Sequence, residues 1–178
     1  PQSKLFFDVH LMCSNPQILL EPFVEAGADQ IIVHSELGEQ VTELLWRIKS
    51  MGCRAGLAIN PPTSIESVEP HLAQLDILLV MTVNPGFGGQ PFIRECLPKI
   101  QQVWDWRRTR GLGYRIEVDG GITQTTAPDC ARMGADTFVS GTGLFAKRAM
   151  KVAVGKMRET VEKNRRSILE ASANGAGE

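Results

Sequence analysis

The sequence predicts an α/β fold built on a parallel sheet. β-like and helix-like segments alternate six times with short connections between them, the order that gives parallel strands and right-handed crossovers. One phrase recurs in one role. Glu25-Ala26-Gly27-Ala28-Asp29 and Arg132-Met133-Gly134-Ala135-Asp136 each end a helix on glycine and turn into a strand. Polar and glycine-rich residues gather at strand C-terminal ends, where α/β enzymes keep their sites.

Leu5 to Met12 reads as a strand, and Pro16 to Ala26 as a helix closed by Gly27. Gln30 to His34 is a strand. Gly38 to Met51 is a helix, with apolar Val41, Leu44, Leu45 and Ile48 at helical spacing and Gly52 as its C-terminal stop. Arg54 to Asn60 is a strand closed by Pro61-Pro62, and Ile65 to Leu72 a short helix capped by Thr63 or Ser64. Ile77 to Val83 is a strand and Phe92 to Arg110 a long helix. Arg115 to Asp119, Thr125 to Met133 and Thr137 to Ser140 follow as strand, helix and strand. Ala146 opens a last helix that runs into a polar tail, Ala171 to Glu178, expected to fray. A (β/α)8 barrel needs eight such units and typically about 250 residues, so this pattern is two units short of one. As domains, residues 1–165 read as a partial barrel and 166–178 as a helix end with its tail.

With 178 residues and 43% hydrophobic content, the chain can form one domain with its own core. A net charge of −1 offers nothing to nucleic acid or an anionic membrane. Arg107, Arg108, Arg110, Arg165 and Arg166 read as solvated helix faces. Cys13, Cys53, Cys96 and Cys130 form no C-x-x-C pair, which argues against a zinc cage and fits reduced thiols. Pro1 to Phe7 has no secretory h-region, and no apolar run approaches the ~20 residues of a membrane span. A cytoplasmic location is expected.

The most informative stretch is Val83-Asn84-Pro85-Gly86-Phe87-Gly88-Gly89-Gln90-Pro91-Phe92, set where a strand hands over to a helix. Its glycines let backbone amides approach a ligand, and such a turn can present them to an anion. Asp8, His10 and Met12 alternate onto one strand face, with His10 near the barrel mouth. His10 reads equally as a buried, satisfied histidine. His34 is assigned that structural part, and His71 is expected in solvent. Glu117 and Asp119 share a face, and Asp119 ends its strand before Gly120-Gly121. A carboxylate there can ligate a metal or move a proton, or simply cap the turn. Gly121, Gly141 and Thr142 fall on the loops after the last two strands, where barrels commonly hold phosphate.

Asp8-Val9-His10-Leu11-Met12, Asn84-Pro85-Gly86-Phe87-Gly88-Gly89-Gln90, Glu117-Val118-Asp119-Gly120-Gly121 and Gly141-Thr142-Gly143-Leu144-Phe145 resemble, in order and spacing, the motifs of the ribulose-phosphate 3-epimerase family. The resemblance runs from Leu5 to about Met157. It implies a (β/α)8 TIM-barrel fold, here incomplete with the first two βα units missing. It implies a divalent metal (Zn, Fe, Mn or Co) and interconversion of D-ribulose 5-phosphate and D-xylulose 5-phosphate by proton transfer at C3. By resemblance, His10 and Asp119 are metal ligands and Asp119 is an acid/base. Gly86, Phe87, Gly88 and Gly89 cover the substrate, and Gly120, Gly121, Gly141 and Thr142 hold its phosphate. Met12 and Met81 line the metal side. The family's other metal ligands and its second acid/base belong to the two units not found, so the metal site is expected to be incomplete and turnover by this chain absent. A homo-oligomer is expected, formed through the open sheet edges.

Two alternatives stand beside this one. A hexulose-phosphate 3-epimerase, of the allulose 6-phosphate type, is suggested by Met81-Thr82-Val83, Trp104-Asp105-Trp106-Arg107 and the Gly141 to Phe145 run. A non-catalytic, phosphate-binding remnant is the other.

Overall fold

The structure, a computed structural model, describes residues 4–174. Six strands form one parallel sheet in sequence order: β1 (Asp8–His10), β2 (Gln30–His34), β3 (Arg54–Ile59), β4 (Ile77–Met81), β5 (Arg115–Asp119) and β6 (Thr137–Val139). This is the strand order of a (β/α)8 barrel with six strands in place of eight. Among the described residues β1 and β6 each have a single paired neighbour. That explains why β1 is shorter than the expected Leu5 to Met12, since an edge strand has only one ladder to hold it.

The helices are α1 (Leu20–Glu25), α2 (Gln40–Ser50), α3 (Leu97–Thr109), α4 (Ala127–Arg132), α5 (Thr142–Phe145) and α6 (Met150–Asn174). Prolines account for several departures from the expected bounds. Pro16 opens a separate 3-10 turn, Pro16–Ile18, ahead of α1. Pro70 lies inside Ile65–Gln74, which is 3-10 rather than α, because proline cannot donate and crowds the preceding turn. The four-residue α5 lies where only a loop was expected. The last helix begins at Met150 rather than Ala146 and continues through Ala171 to Asn174; Gly175 to Glu178 lie outside the described residues.

Strand alternation makes two cores. Val9, Ile31, Val33, Leu57, Leu78, Val80, Ile116 and Val118 face outward and pack under the helices against residues such as Leu45, Ile48, Ile100, Val103 and Cys130. The opposite face carries a second cluster, Ile32, Ala58, Ile77, Leu79, Met81 and Val83. A sheet buried on both faces is what continuous runs such as Ile77-Leu78-Leu79-Val80-Met81 encode. On the inner face Gly56 is needed for space, because a Cβ there would lie 2.6 Å from both Ile32 and Ile77 side chains.

Several charge readings change. Arg107 is not solvated. It pairs with Asp136 at 2.6 Å, donates to the Tyr114 carbonyl at 2.9 Å and stacks over Trp104. Arg165 also reaches Asp136, at 3.8 Å, and Arg110 pairs with Glu69 and covers Trp106. Arg108 and Arg166 are exposed as expected. His71 is half-buried rather than solvated, and its Nδ1 has no hydrogen-bond partner. All four cysteines are free.

Candidate functional site

The C-terminal ends of β1, β4, β5 and β6 open onto a cavity of about 280 Å³. Met12, from the end of β1, and Met81, at the end of β4, form its apolar side. Gly86, Phe87, Gly88 and Gly89 cross over it. Asp119 stands at the end of β5, followed by Gly120 and Gly121, and Gly141 and Thr142 close the far wall. Every residue expected to touch substrate lines this cavity except His10. Asp119 is the one charged side chain among the lining residues. A phosphate would therefore be held by backbone amides rather than by Lys or Arg.

The loops after β4, β5 and β6 are braced by hydroxyls and by close backbone contact. Thr82, fully buried, donates its hydroxyl to the carbonyls of Gly120 at 2.6 Å and Asp119 at 3.0 Å. Thr126 donates to the Gly121 carbonyl at 2.8 Å, and Ser140 to the Ile122 carbonyl at 2.7 Å. The last bond ties the β6 loop to the β5 loop. Gly121 has φ +62, and a Cβ there would lie 2.7 Å from the backbone nitrogen of Phe92. Its glycine is thus demanded twice, by conformation and by the close approach of the loop after β4. Gln90 folds back to donate to the carbonyls of Asn84 at 2.6 Å and Phe87 at 2.8 Å, holding the glycine loop in its arc.

Burial sets the electrostatics. It raises the Asp119 carboxyl, with a backbone hydrogen bond from Gly120 opposing the shift. It pushes Glu117, on the same strand face, up to about 8, helped by the nearby charges of Asp8 and Asp119. Glu117 is 2% exposed and its Oε2 has no hydrogen-bond partner.

His10 sits away from this cavity's lining, joined instead to β2. Its Nε2 lies 2.8 Å from Nε2 of His34, and Nδ1 of His34 lies 3.1 Å from Glu36. Glu36 also accepts from the Asn60 backbone at 2.9 Å and the Thr63 hydroxyl at 2.5 Å. Desolvation and the neighbouring His34 lower His10 to about 4, so its imidazole is neutral near pH 7. Glu36 is held down at about 2, because the bonds from His34, Thr63 and Asn60 outweigh its desolvation. Met12, His34, Glu36 and Asn60 line a second cavity, of about 340 Å³, which shares Met12 and Pro85 with the first. His34, read as a satisfied interior histidine, is satisfied. Its partner is the candidate ligand His10, a link that residues 24 apart do not reveal in sequence.

A divalent ion finds only part of a site here. Among the described residues no three His, Cys, Asp or Glu side chains converge to hold one. His10 and Asp119 offer one nitrogen and one oxygen donor, short of the three protein ligands usual in a catalytic zinc site.

Comparison with known proteins adds the family. The profile of the Ribulose-phosphate 3 epimerase family matches residues 1–145. The ribulose-phosphate 3-epimerase of Treponema pallidum is 42% identical over 145 residues, which cover 82% of this chain and 66% of that protein. That of Bacillus subtilis is 39% identical over 159 residues, 89% of this chain and 73% of that protein. The chain thus spans about two thirds of the length of the curated relatives it matches. Among solved structures, a ligand complex of KGPDC from Streptococcus mutans superposes with a TM-score of 0.72 at 12% identity, over 90% of this chain and 74% of that one. 3-Hexulose-6-phosphate synthase from Salmonella typhimurium gives 0.64 at 20% identity, over 83% and 68%. At such identities these neighbours speak for the barrel fold alone. Four motifs in order, a six-stranded parallel sheet in barrel sequence and the profile match together place the chain in the ribulose-phosphate 3-epimerase family.

Proposed function

We propose that this chain carries the phosphate-binding and one-sided proton-transfer half of a ribulose-phosphate 3-epimerase. The observation that carries the reading is Asp119, a carboxylate with raised proton affinity in a cavity walled by glycine loops and by the apolar side of Met12 and Met81. Inverting a carbon beside a carbonyl requires taking its proton from one face and returning one to the other. Asp119 can serve one face, as base and then acid. The amides near Gly121, Gly141 and Thr142 would hold the phosphate, and Gly86 to Gly89 would exclude water over the sugar. His10 and Asp119 are the residues that would hold a divalent ion, which would supply charge stabilisation to a developing oxyanion. The substrate pair that the resemblance implies, D-ribulose 5-phosphate and D-xylulose 5-phosphate, would belong to the pentose phosphate pathway.

The hexulose-phosphate alternative loses two of its cues. Trp104, Trp106 and Arg107 are spent on packing and on the Asp136 pair, and Thr82 on bracing the Gly120 carbonyl. Self-association is proposed through the singly paired edges, supported by exposed Leu5, Phe6 and Phe7 beside β1 and Val139 on β6. A cytoplasmic setting is proposed on the four free thiols; no helix among the described residues is long and apolar enough to cross a membrane.

The test is titration of the labelled protein with millimolar D-ribulose 5-phosphate. The amide signals of Gly121 and Thr142 should move, while those on the opposite end of the sheet stay. Signals that stay fixed at Gly121 and Thr142 would overturn the phosphate assignment. Binding without turnover in this chain, and after addition of the family's first two βα units as well, would favour the non-catalytic remnant.

A further inference from the structure

We propose that Glu36 and His34 form a directional relay that places the lone pair of His10 on Nδ1, making both of them positioning residues for the imidazole. The argument is one of donors and acceptors. Oε1 of Glu36 takes two donors, the Asn60 backbone N–H and the Thr63 hydroxyl. A carboxylate so held is an acceptor at Oε2 also, so Nδ1 of His34 is the donor across 3.1 Å. With a single ring proton, spent on Nδ1 toward Glu36, His34 has a bare Nε2. The 2.8 Å contact between the two Nε2 atoms then needs its proton from His10. The ring planes are inclined to each other by 20° with centroids 4.9 Å apart. Together with the short Nε2 to Nε2 separation, this sets them edge to edge, the geometry of an N–H···N bond. Nε2 of His10 is thereby consumed, and Nδ1 makes no hydrogen bond with any described residue. One anion on the loop after β2 thus decides which nitrogen of a β1 side chain can bind a metal or a proton.

Lys99 steadies the base of the relay. Its ammonium donates to the carbonyls of Asn60 at 3.2 Å, Pro61 at 2.7 Å and Thr63, and so fixes the loop that supplies both donors to Glu36.

The isosteric variant Glu36→Gln gives a sharp test. With Asn60 and Thr63 still donating, the amide oxygen must face them, and the amide N–H2 then faces His34. Both bonds should reverse. His34 would donate from Nε2, and His10 would carry its proton on Nδ1. The measurement is long-range proton–nitrogen correlation on the 178-residue chain with labelled histidine, near pH 7.5. In the unsubstituted protein, Nδ1 of His10 should resonate as a bare nitrogen, with a scalar coupling between the two Nε2 nuclei. In Glu36→Gln it should resonate as an N–H. A protonated Nδ1 on His10 in the unsubstituted chain overturns the relay without recourse to any variant. So does an unchanged tautomer in a folded Glu36→Gln protein.

The consequence for a metal rests on the functional reading above and is tested separately with Co2+ alone. Paramagnetic broadening at His10 should appear in the unsubstituted chain and be lost in Glu36→Gln. Equal broadening in both, or none in either, removes His10 from metal binding while the tautomers still judge the relay.

Discussion

The two halves of the site mouth are built on different principles. The β5–β6 half is backbone. Gly120, Gly121 and Gly141 bring main chain to the cavity, and hydroxyls from buried Thr82 and half-buried Thr126 and Ser140 hold the carbonyls in place. The β1–β2 half is side chain. There a carboxylate, two imidazoles and a lysine pass constraints across loops and strands. A backbone site is stiff and indifferent to protonation. A side-chain relay can be reversed by one amide.

That difference can be broken most strongly at Asp119, where the two halves would meet over the substrate. In a chain completed with the two βα units that the resemblance implies ahead of β1, Asp119→Asn should lower kcat by about 100- to 10,000-fold with little change in stability. A coupled assay for D-xylulose 5-phosphate reads it, and a loss under about tenfold would take the proton from Asp119. The 178-residue chain alone should show no turnover in the same assay.

Gly121→Ala tests the stiffness of the backbone half. Positive φ and the contact with Phe92 predict a loss of about 1–3 kcal/mol in urea unfolding, together with weaker sugar-phosphate binding. Unchanged stability would show that the two loops are not locked together.

Glu117 should betray itself through pH. Its folded pKa of about 8 lies above the ordinary carboxylate value, so the folded state holds a proton that the unfolded chain releases. Its contribution is full at low pH and is lost as pH rises through 8. His10, lowered to about 4, acts in the opposite sense. Its neutral folded form is penalised as pH falls below about 6.5. The clear window is therefore about pH 6.5 to 8. There the protein should lose stability against Glu117→Gln, by at most about 1.4 kcal/mol per pH unit. Parallel unfolding curves across that window would mean Glu117 is ionised in the fold.

Thr82→Val should be smallest. It leaves the Gly120 carbonyl without its hydroxyl partner, at a cost of about 1 kcal/mol. The Asp119 carbonyl keeps the Thr82 backbone N–H at 2.8 Å. A neutral result would leave Thr126 and Ser140 as the sufficient braces.

What can be read in sequence follows the same division. Backbone sites advertise themselves, because a glycine pair after an apolar strand has few other reasons to exist. Gly86 to Gly89, Gly120, Gly121 and Gly141 are visible as a set for that reason. The strand order is visible too, since six apolar runs separated by helical spacing admit few topologies. The His10–His34–Glu36 chain is not, because each member is ordinary in its own segment and the contacts join residues 24 apart or lie across a turn. Arg107 misleads on the same ground. It occupies a polar helix stretch, and its partner Asp136 comes 29 residues later. The 3-10 form of Ile65–Gln74, by contrast, is signalled by Pro70 in plain sight.

Among the described residues each strand of this sheet pairs only with its neighbours in the chain. Such a sheet can be laid down in the order of synthesis, each βα unit docking on the one before it as it leaves the ribosome, with no long loop to close first. The interior strands β3 and β4 would then be the last to release their amide protons to exchange, and β1 and β6 the first. A nascent chain arrested after α3 would already carry the β1–β2 relay complete, while the loops after β5 and β6 were still unmade.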